Sequence, residues 1–238
     1  MTLRDAYFAY AVGAVWVAAA VLYLAGARGW RSERAERAGG TLLLGNGVVR
    51  WTYWMTAPVV RTLVDLEVSA NMLTWASLVL GLGAGVALAL GEPGLACLLA
   101  TCSTIGDILD GEVARHTHTG SLRGELLDAA VDRYTELAFV AGFILWVRAS
   151  LPLVVLGLAA LQACTLVSYA TAKAEALGVP PPRGLMRRHE RSAYMILAVG
   201  LASMTDTLAP AIAGFAIVAV IGNVAAVQRF TRIARALG

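Results

Sequence analysis

The chain has 238 residues, 58% of them hydrophobic and only 15% charged, with a formal net charge of +3 and a mean hydropathy of +0.69. Soluble domains carry about 45–50% apolar and about 25% charged residues. The composition therefore excludes an ordinary water-soluble domain and identifies a polytopic membrane protein built as one bundle.

In chain order, the first uncharged stretch, 8–27, is long enough to cross about 30 Å of hydrocarbon as a helix. No small-residue cleavage pattern follows it, so it is expected to be a retained span rather than a signal peptide. Residues 48–68 mix Trp51, Tyr53, Trp54, Met55, Val59, Val60 and Leu63 with Arg50, Arg61 and Asp65. That mixture predicts an amphipathic helix in the membrane interface, aromatic residues at headgroup depth. Uncharged stretches at 71–91, 149–172 and 207–228 predict further spans, with shorter ones at 94–106, 137–147 and 192–205. Helices over 94–116 and 121–147 would each be half apolar and half charged, their charged halves meeting at the loop that joins them. Gly81, Gly83 and Gly85 form a small-residue face, read as packing within the bundle, with a homodimer contact as the alternative. Cys97, Cys102 and Cys164 lie in apolar surroundings without metal-ligand spacing and are expected to be small core residues.

The expected organisation is an N-terminal span and basic loop over 1–47, an interfacial helix over 48–70 and a six-span unit over 71–238. Basic residues fix its orientation. Arg28, Arg31, Arg34, Arg37, Arg50 and Arg61 follow the first span, Arg115 and Arg123 lie between the two half-charged helices, and Lys173, Arg183, Arg187, Arg188 and Arg191 fill a later loop. Arg229, Arg232 and Arg235 close the chain, whereas the alternate loops carry almost no basic residue. By the positive-inside rule these loops and the C-terminus are cytoplasmic, and seven spans put the N-terminus outside. Lys173 is the only lysine among nineteen basic residues, which with abundant alanine and glycine points to the cell membrane of a GC-rich prokaryote.

The chemistry is concentrated between the two half-charged helices. Asp107 and Asp110 are spaced i,i+3, and Asp128 and Asp132 i,i+4, so each pair shares one helix face. Two facing helices would present four carboxylates to one small volume, and ionisable groups inside membrane helices mark function. Four aspartates balance two divalent cations in formal charge, and hard oxygen donors suit Mg²⁺ or Mn²⁺. The H-x-H at His116 and His118 reads as a polar interfacial turn.

The full pattern, D-x-x-D-G-x-x-A-R, eight residues, then G-x-x-x-D-x-x-x-D, resembles the signature of the CDP-alcohol phosphotransferase family at every defined position. The resemblance covers the chain from about Asn71 onward. It implies an all-α, polytopic membrane helix bundle with a six-helix core, to which this chain adds one N-terminal transmembrane span and the interfacial helix. It further implies a transferase of phospholipid biosynthesis that moves a phosphatidyl-type group from a CDP-lipid, such as CDP-diacylglycerol, to a small polar alcohol and releases CMP. Asp107, Asp110, Asp128 and Asp132 would bind two metal ions, with Asp132 also the general base. Gly111, Ala114 and Gly124 would leave room for the nucleotide, Arg115 would grip the diphosphate, and Asn71 and Thr74 would contact the nucleotide.

The stretch around Ser168, Lys173, Arg188 and Arg191 resembles the subgroup that makes phosphatidylinositol phosphate, in which such residues bind the acceptor's phosphate. Thr171 departs from that pattern, since the subgroup carries a basic residue there. Inositol phosphate is thus the expected acceptor, with glycerol 3-phosphate or serine as alternatives. The expected partners are CDP-diacylglycerol, the acceptor, membrane lipids and at most a second copy of the chain, not nucleic acid. A divalent-cation transporter is the competing class, but it gives no reason for Gly111, Ala114, Arg115 and Gly124 at this spacing.

Overall fold

The structure is a computed structural model that describes residues 3–27, 30, 45–181 and 184–238. Arg28, Arg31, Arg34, Arg37 and Arg183, used above to orient the chain, lie outside the described residues. Among the described residues the elements are helical. Helix α1 spans Leu3–Leu22 and runs on into a π-helical turn, Tyr23–Ala27; α2 spans Gly45–Asp65, α3 Ala70–Ala89, α4 Pro93–His116, α5 Leu122–Trp146, α6 Leu151–Ala176, α7 Arg188–Thr205 and α8 Ala209–Leu237.

Local chemistry sets the ends. Ser69 caps α3 by accepting from Met72 N at 3.3 Å, and Ser121 caps α5 by accepting from Gly124 N at 3.1 Å, so neither helix begins with all its first-turn amides unmet. Pro93 opens α4 in the position where a missing N–H costs nothing. Gly91 at φ +79 and Asp206 at φ 52 take the left-handed conformation that turns the chain after α3 and α7.

Among the described residues, five helices are long and apolar enough to cross a membrane: Asp5–Ala27, Ala70–Ala89, Pro93–His116, Leu151–Ala176 and Ala209–Leu237. Seven spans were expected, and the difference lies in α5 and α7. These two carry Asp128, Asp132, Arg133 and Glu136, or Arg188, Glu190 and Arg191, and they bury part of that charge inside the bundle. A hydropathy threshold penalises such charges wherever they point, whereas a membrane helix tolerates them on its interior face. With α3, α4, α6 and α8 they complete a six-helix core.

The core divides into two trios, α3–α4–α5 and α6–α7–α8. The first is tight because its glycines let backbones touch. A Cβ on Gly85 would meet the Ala138 carbonyl, and one on Gly81 would meet the Thr135 side chain, so the small-residue face of α3 is spent within the bundle. The trios join through α4 against α7 and around Phe143 of α5, which stacks on Phe215 of α8 with ring centres 3.8 Å apart. Pairing of α5 with α6 is looser than the pairings of α3 with α4 and with α5. A large cavity opens there.

Helix α2 lays Val60, Leu63 and Val64 on Leu109 and Val113 of α4. It is held from the other side by α1 through Trp16 on Trp51 at 5.0 Å and Tyr23 on Trp54 at 5.5 Å. At its opposite end α1 buries Asp5, whose carboxylate accepts from Gly94 N at 2.9 Å, Leu95 N at 3.0 Å and Ser203 Oγ at 2.9 Å. Asp5 thereby caps α4 from outside, where α4's own preceding residue, Glu92, makes no cap bond.

Candidate active site

Helices α4 and α5 antiparallel to one another bring their charged ends together, and the side-chain oxygens of Asp107, Asp128 and Asp132 lie within 4.8 Å of one another. Asp132 Oδ1 is buried and without a hydrogen bond. Ligand distances of 2.0–2.1 Å put the donor oxygens of one Mg²⁺ about 3–4 Å apart. A closure of these side chains by up to about 2 Å would therefore collect the three around a hard cation, and the all-oxygen donor set fits Mg²⁺ or Mn²⁺.

Asp110, the fourth expected ligand, stands outside this trio. Its Oδ2 accepts from Thr74 Oγ1 at 2.7 Å, and the pair is buried. Thr74, expected against the nucleotide, also orients this carboxylate. Asp110 nevertheless faces both cavities of the site.

The larger cavity, about 1090 Å³, lies between α4, α5, α6 and the start of α7 and contains all four aspartates. The smaller, about 530 Å³, lies under the α2–α3 elbow. Its walls include Asn71, Thr74, Gly111, Ala114, Arg115 and Gly124, so every residue expected at the nucleotide lines one chamber. Gly124 leaves space there: a Cβ would sit 3.3 Å from Ser121 Oγ and 3.9 Å from Asn71 Oδ1. Gly111 also lines this chamber, and a Cβ there would press on the Arg115 guanidinium at 3.0 Å. Arg115 itself pairs with Glu112 at 2.6 Å and is half exposed.

Behind the carboxylates lies an arginine-rich wall. Arg188, the first residue of α7, donates through NH1 to both oxygens of Asp107 at 3.0 and 3.1 Å, and its NH2 lies 2.5 Å from Asp132 Oδ1. This second approach is a charge contact, since no N–H is aimed along it. Arg191 is 1% exposed and fully engaged. It donates to Glu136 Oε1 at 2.8 Å, to the Met186 carbonyl at 2.8 Å and to Ser168 Oγ at 3.2 Å. Arg133 pairs with Glu136 at 2.8 Å and also donates to Ser168 Oγ. Ser168 in turn donates to Cys164 O at 2.9 Å, so two arginines and one backbone carbonyl hold it.

Of the four residues expected at an acceptor, Ser168, Arg188 and Arg191 line the large cavity and Lys173 does not. Lys173 points to the exposed side of α6. The cavity gains instead Arg133, Arg187 and Arg229. Arg229 reaches from α8 to donate to Thr171 Oγ1 at 2.8 Å and to Leu185 O at 3.2 Å, bringing a guanidinium to the position where a basic residue was missed. A lone arginine at the end of an apolar run reads as a topology marker, and only packing shows it turned inward. Glu136 did leave a signal, as the next i+4 position after Asp132 on the same face of α5. Tyr53, from α2, also borders the cavity.

A family model described as CDP-alcohol phosphatidyltransferase matches residues 67–227. The phosphatidylinositol phosphate synthase of Corynebacterium glutamicum is 34% identical over 154 residues, which cover 62% of this chain and 69% of the relative. Crystal structures of the Mycobacterium tuberculosis phosphatidylinositol phosphate synthase share the fold at 24% identity. The one with CDP-DAG bound aligns at a TM-score of 0.69 over 75% of this chain and 92% of its own. The one in complex with manganese and citrate gives the same score over 75% and 88%. The sequence signature, the carboxylates gathered from adjacent helices and these matches agree: the chain belongs to the CDP-alcohol phosphatidyltransferase family.

Proposed function

We propose that this membrane transferase moves the phosphatidyl group of a CDP-lipid, with CDP-diacylglycerol as the expected donor, to inositol phosphate and releases CMP. The observation that carries the choice of acceptor is a single cavity holding Asp107, Asp128 and Asp132 at one side and Arg133, Arg188, Arg191 and Arg229 at the other. An acceptor bearing its own phosphate needs such donors, and free serine does not. The corynebacterial relative is named for the same product class.

In this reading Asp107, Asp128 and Asp132, with Asp110 beside them, hold two divalent cations. The ions supply charge neutralisation at the phosphoryl oxygens. The 530 Å³ chamber receives the nucleotide, and Arg115 turns from Glu112 to the diphosphate. Asp132 accepts the proton of the acceptor hydroxyl at Oδ1. The hydroxyl oxygen then forms a bond to the lipid-bearing phosphorus as the bond from that phosphorus to the bridging oxygen breaks, and CMP leaves with that oxygen. Acyl chains pass between α5 and α6, where Leu137 and Tyr169 border the cavity and are 38% and 54% exposed. The site faces the cytoplasm of a prokaryotic cell, the side on which the basic loops lie.

The test is an acceptor screen in detergent or vesicles with CDP-diacylglycerol and Mg²⁺ or Mn²⁺, reading CMP. Inositol 1-phosphate should support release, and glycerol 3-phosphate, serine and free inositol should give little. A preference for serine or free inositol would overturn the acceptor assignment. Release independent of metal would overturn the carboxylate assignment.

A further inference from the structure

The two arginines at the start of α7 are held in opposite ways. Arg191 has Nε, NH1 and NH2 all engaged and is buried against Glu136. Arg188 spends NH1 and NH2 on Asp107 and Asp132, while its Nε is buried without a partner. Arg188 also lines a cavity of about 40 Å³, together with Thr135, Glu136 and Ser192. The unmet buried donor is a free-energy cost of holding Arg188 in this position. Arg188 also follows directly on a loop in which Met186 sits at φ 58, so no preceding helical turn fixes it.

The oxygens that Arg188 contacts are those a divalent cation would take. Asp107 and Asp132 are two of the three gathered carboxylates, and a guanidinium and a metal ion cannot occupy the same face of both. Two cations at that separation also repel. We propose that Arg188 is a displaceable internal counter-ion: it neutralises the carboxylate cluster, yields Asp107 and Asp132 to the metal, and swings into the large cavity to take the acceptor's phosphate. The inference rests on the proposed metal and acceptor reading of this site. It makes the order of events a property of one side chain, because metal and phosphate each favour the same displaced position of Arg188. By linkage, each must then tighten the binding of the other.

The experiment measures Mn²⁺ binding to the full-length protein by electron paramagnetic resonance or calorimetry, without donor lipid, with and without inorganic phosphate. Replacing Arg188 by the neutral residues of R188M or R188Q should tighten Mn²⁺ binding by roughly tenfold, within the range of ordinary coupling between sites. R188K, which keeps a cation, should remain near the wild-type value. Phosphate should tighten Mn²⁺ binding to the wild type several-fold, and that gain should be lost in R188M. Direct phosphate–metal contact would survive the substitution, so an equal gain in both proteins overturns the hand-over. Unchanged or weaker Mn²⁺ binding by R188M and R188Q overturns the competition. No Mn²⁺ binding by the wild type would sink the metal reading itself. If neither neutral variant folds, a wild-type protein whose Mn²⁺ affinity ignores phosphate overturns the proposal.

Discussion

The two ends of the bundle solve the burial of aspartate differently. At the end away from the site, Asp5 is 4% exposed and its carboxylate accepts from two backbone amides and a serine hydroxyl. The N-terminus of α4 adds a favourable dipole end to those bonds. At the other end, Asp107, Asp128 and Asp132 face one another and are balanced mainly by the guanidinium of Arg188. Neutral donors satisfy an acid permanently and leave it nothing to exchange. Carboxylates set against each other are compensated only by a cation, and a cation can be replaced. The first arrangement builds a joint between α1, α4 and α7, and the second builds a binding site.

Removing groups at each end separates the two arrangements. The largest expected loss follows Arg191→Ala, which strips the buried Glu136 Oε1 of its guanidinium and leaves only Arg133 on Oε2, and should cost up to about 3–5 kcal/mol of stability, read by thermal unfolding in detergent. A joint E136Q/R191M substitution should recover part of that loss. Its failure to do so would mean that Arg191 acts through packing alone.

Asp128→Asn should lower CMP release on the order of 10²–10³-fold, the scale of removing one preorganised electrostatic group, yet leave the metal-free melting temperature unchanged or raised. Mn²⁺ at 100 times its Kd should stabilise the wild type by about 2.7 kcal/mol, and this gain should fall away in Asp128→Asn. A metal-free protein clearly destabilised by that substitution would put the cluster in the same class as Asp5. Asp5→Ala should show the reverse pattern, a loss of about 1–3 kcal/mol from the amides of Gly94 and Leu95, with the Mn²⁺ gain intact. A changed Mn²⁺ affinity in that variant would show that the joint reaches the site. Smallest of all, Lys173→Ala should move the acceptor KM by no more than about twofold, as for an exposed side chain away from the cavity. A large shift would return Lys173 to the acceptor site.

Much of this was legible in the chain. The spacing of Asp107, Asp110, Asp128 and Asp132 announced two acidic helix faces because helical periodicity is local, and the apolar stretches announced the membrane. Helix ends were legible where a serine or a proline sat at the boundary, as at Ser69, Pro93 and Ser121. What stayed hidden is long-range. Thr74 belongs to Asp110, Asp5 to α4, Arg229 to Thr171 and Arg188 to Asp107, pairings that no local pattern encodes. The place of Lys173 off the cavity wall was hidden too, because a charge in a motif carries no record of which side of its helix it will occupy.

By itself, the sequence determined the class of the protein, its helices and the kind of chemistry, since hydropathy, periodicity and the carboxylate motif act over a few turns of one chain segment. Tertiary structure decided which three of the four aspartates meet, which arginines face the cavity and what anchors the extra span. Those outcomes depend on how six helices rotate about their axes when packed, and that rotation is fixed by contacts such as Gly85 on Ala138 and Phe143 on Phe215, far from the residues whose direction they set.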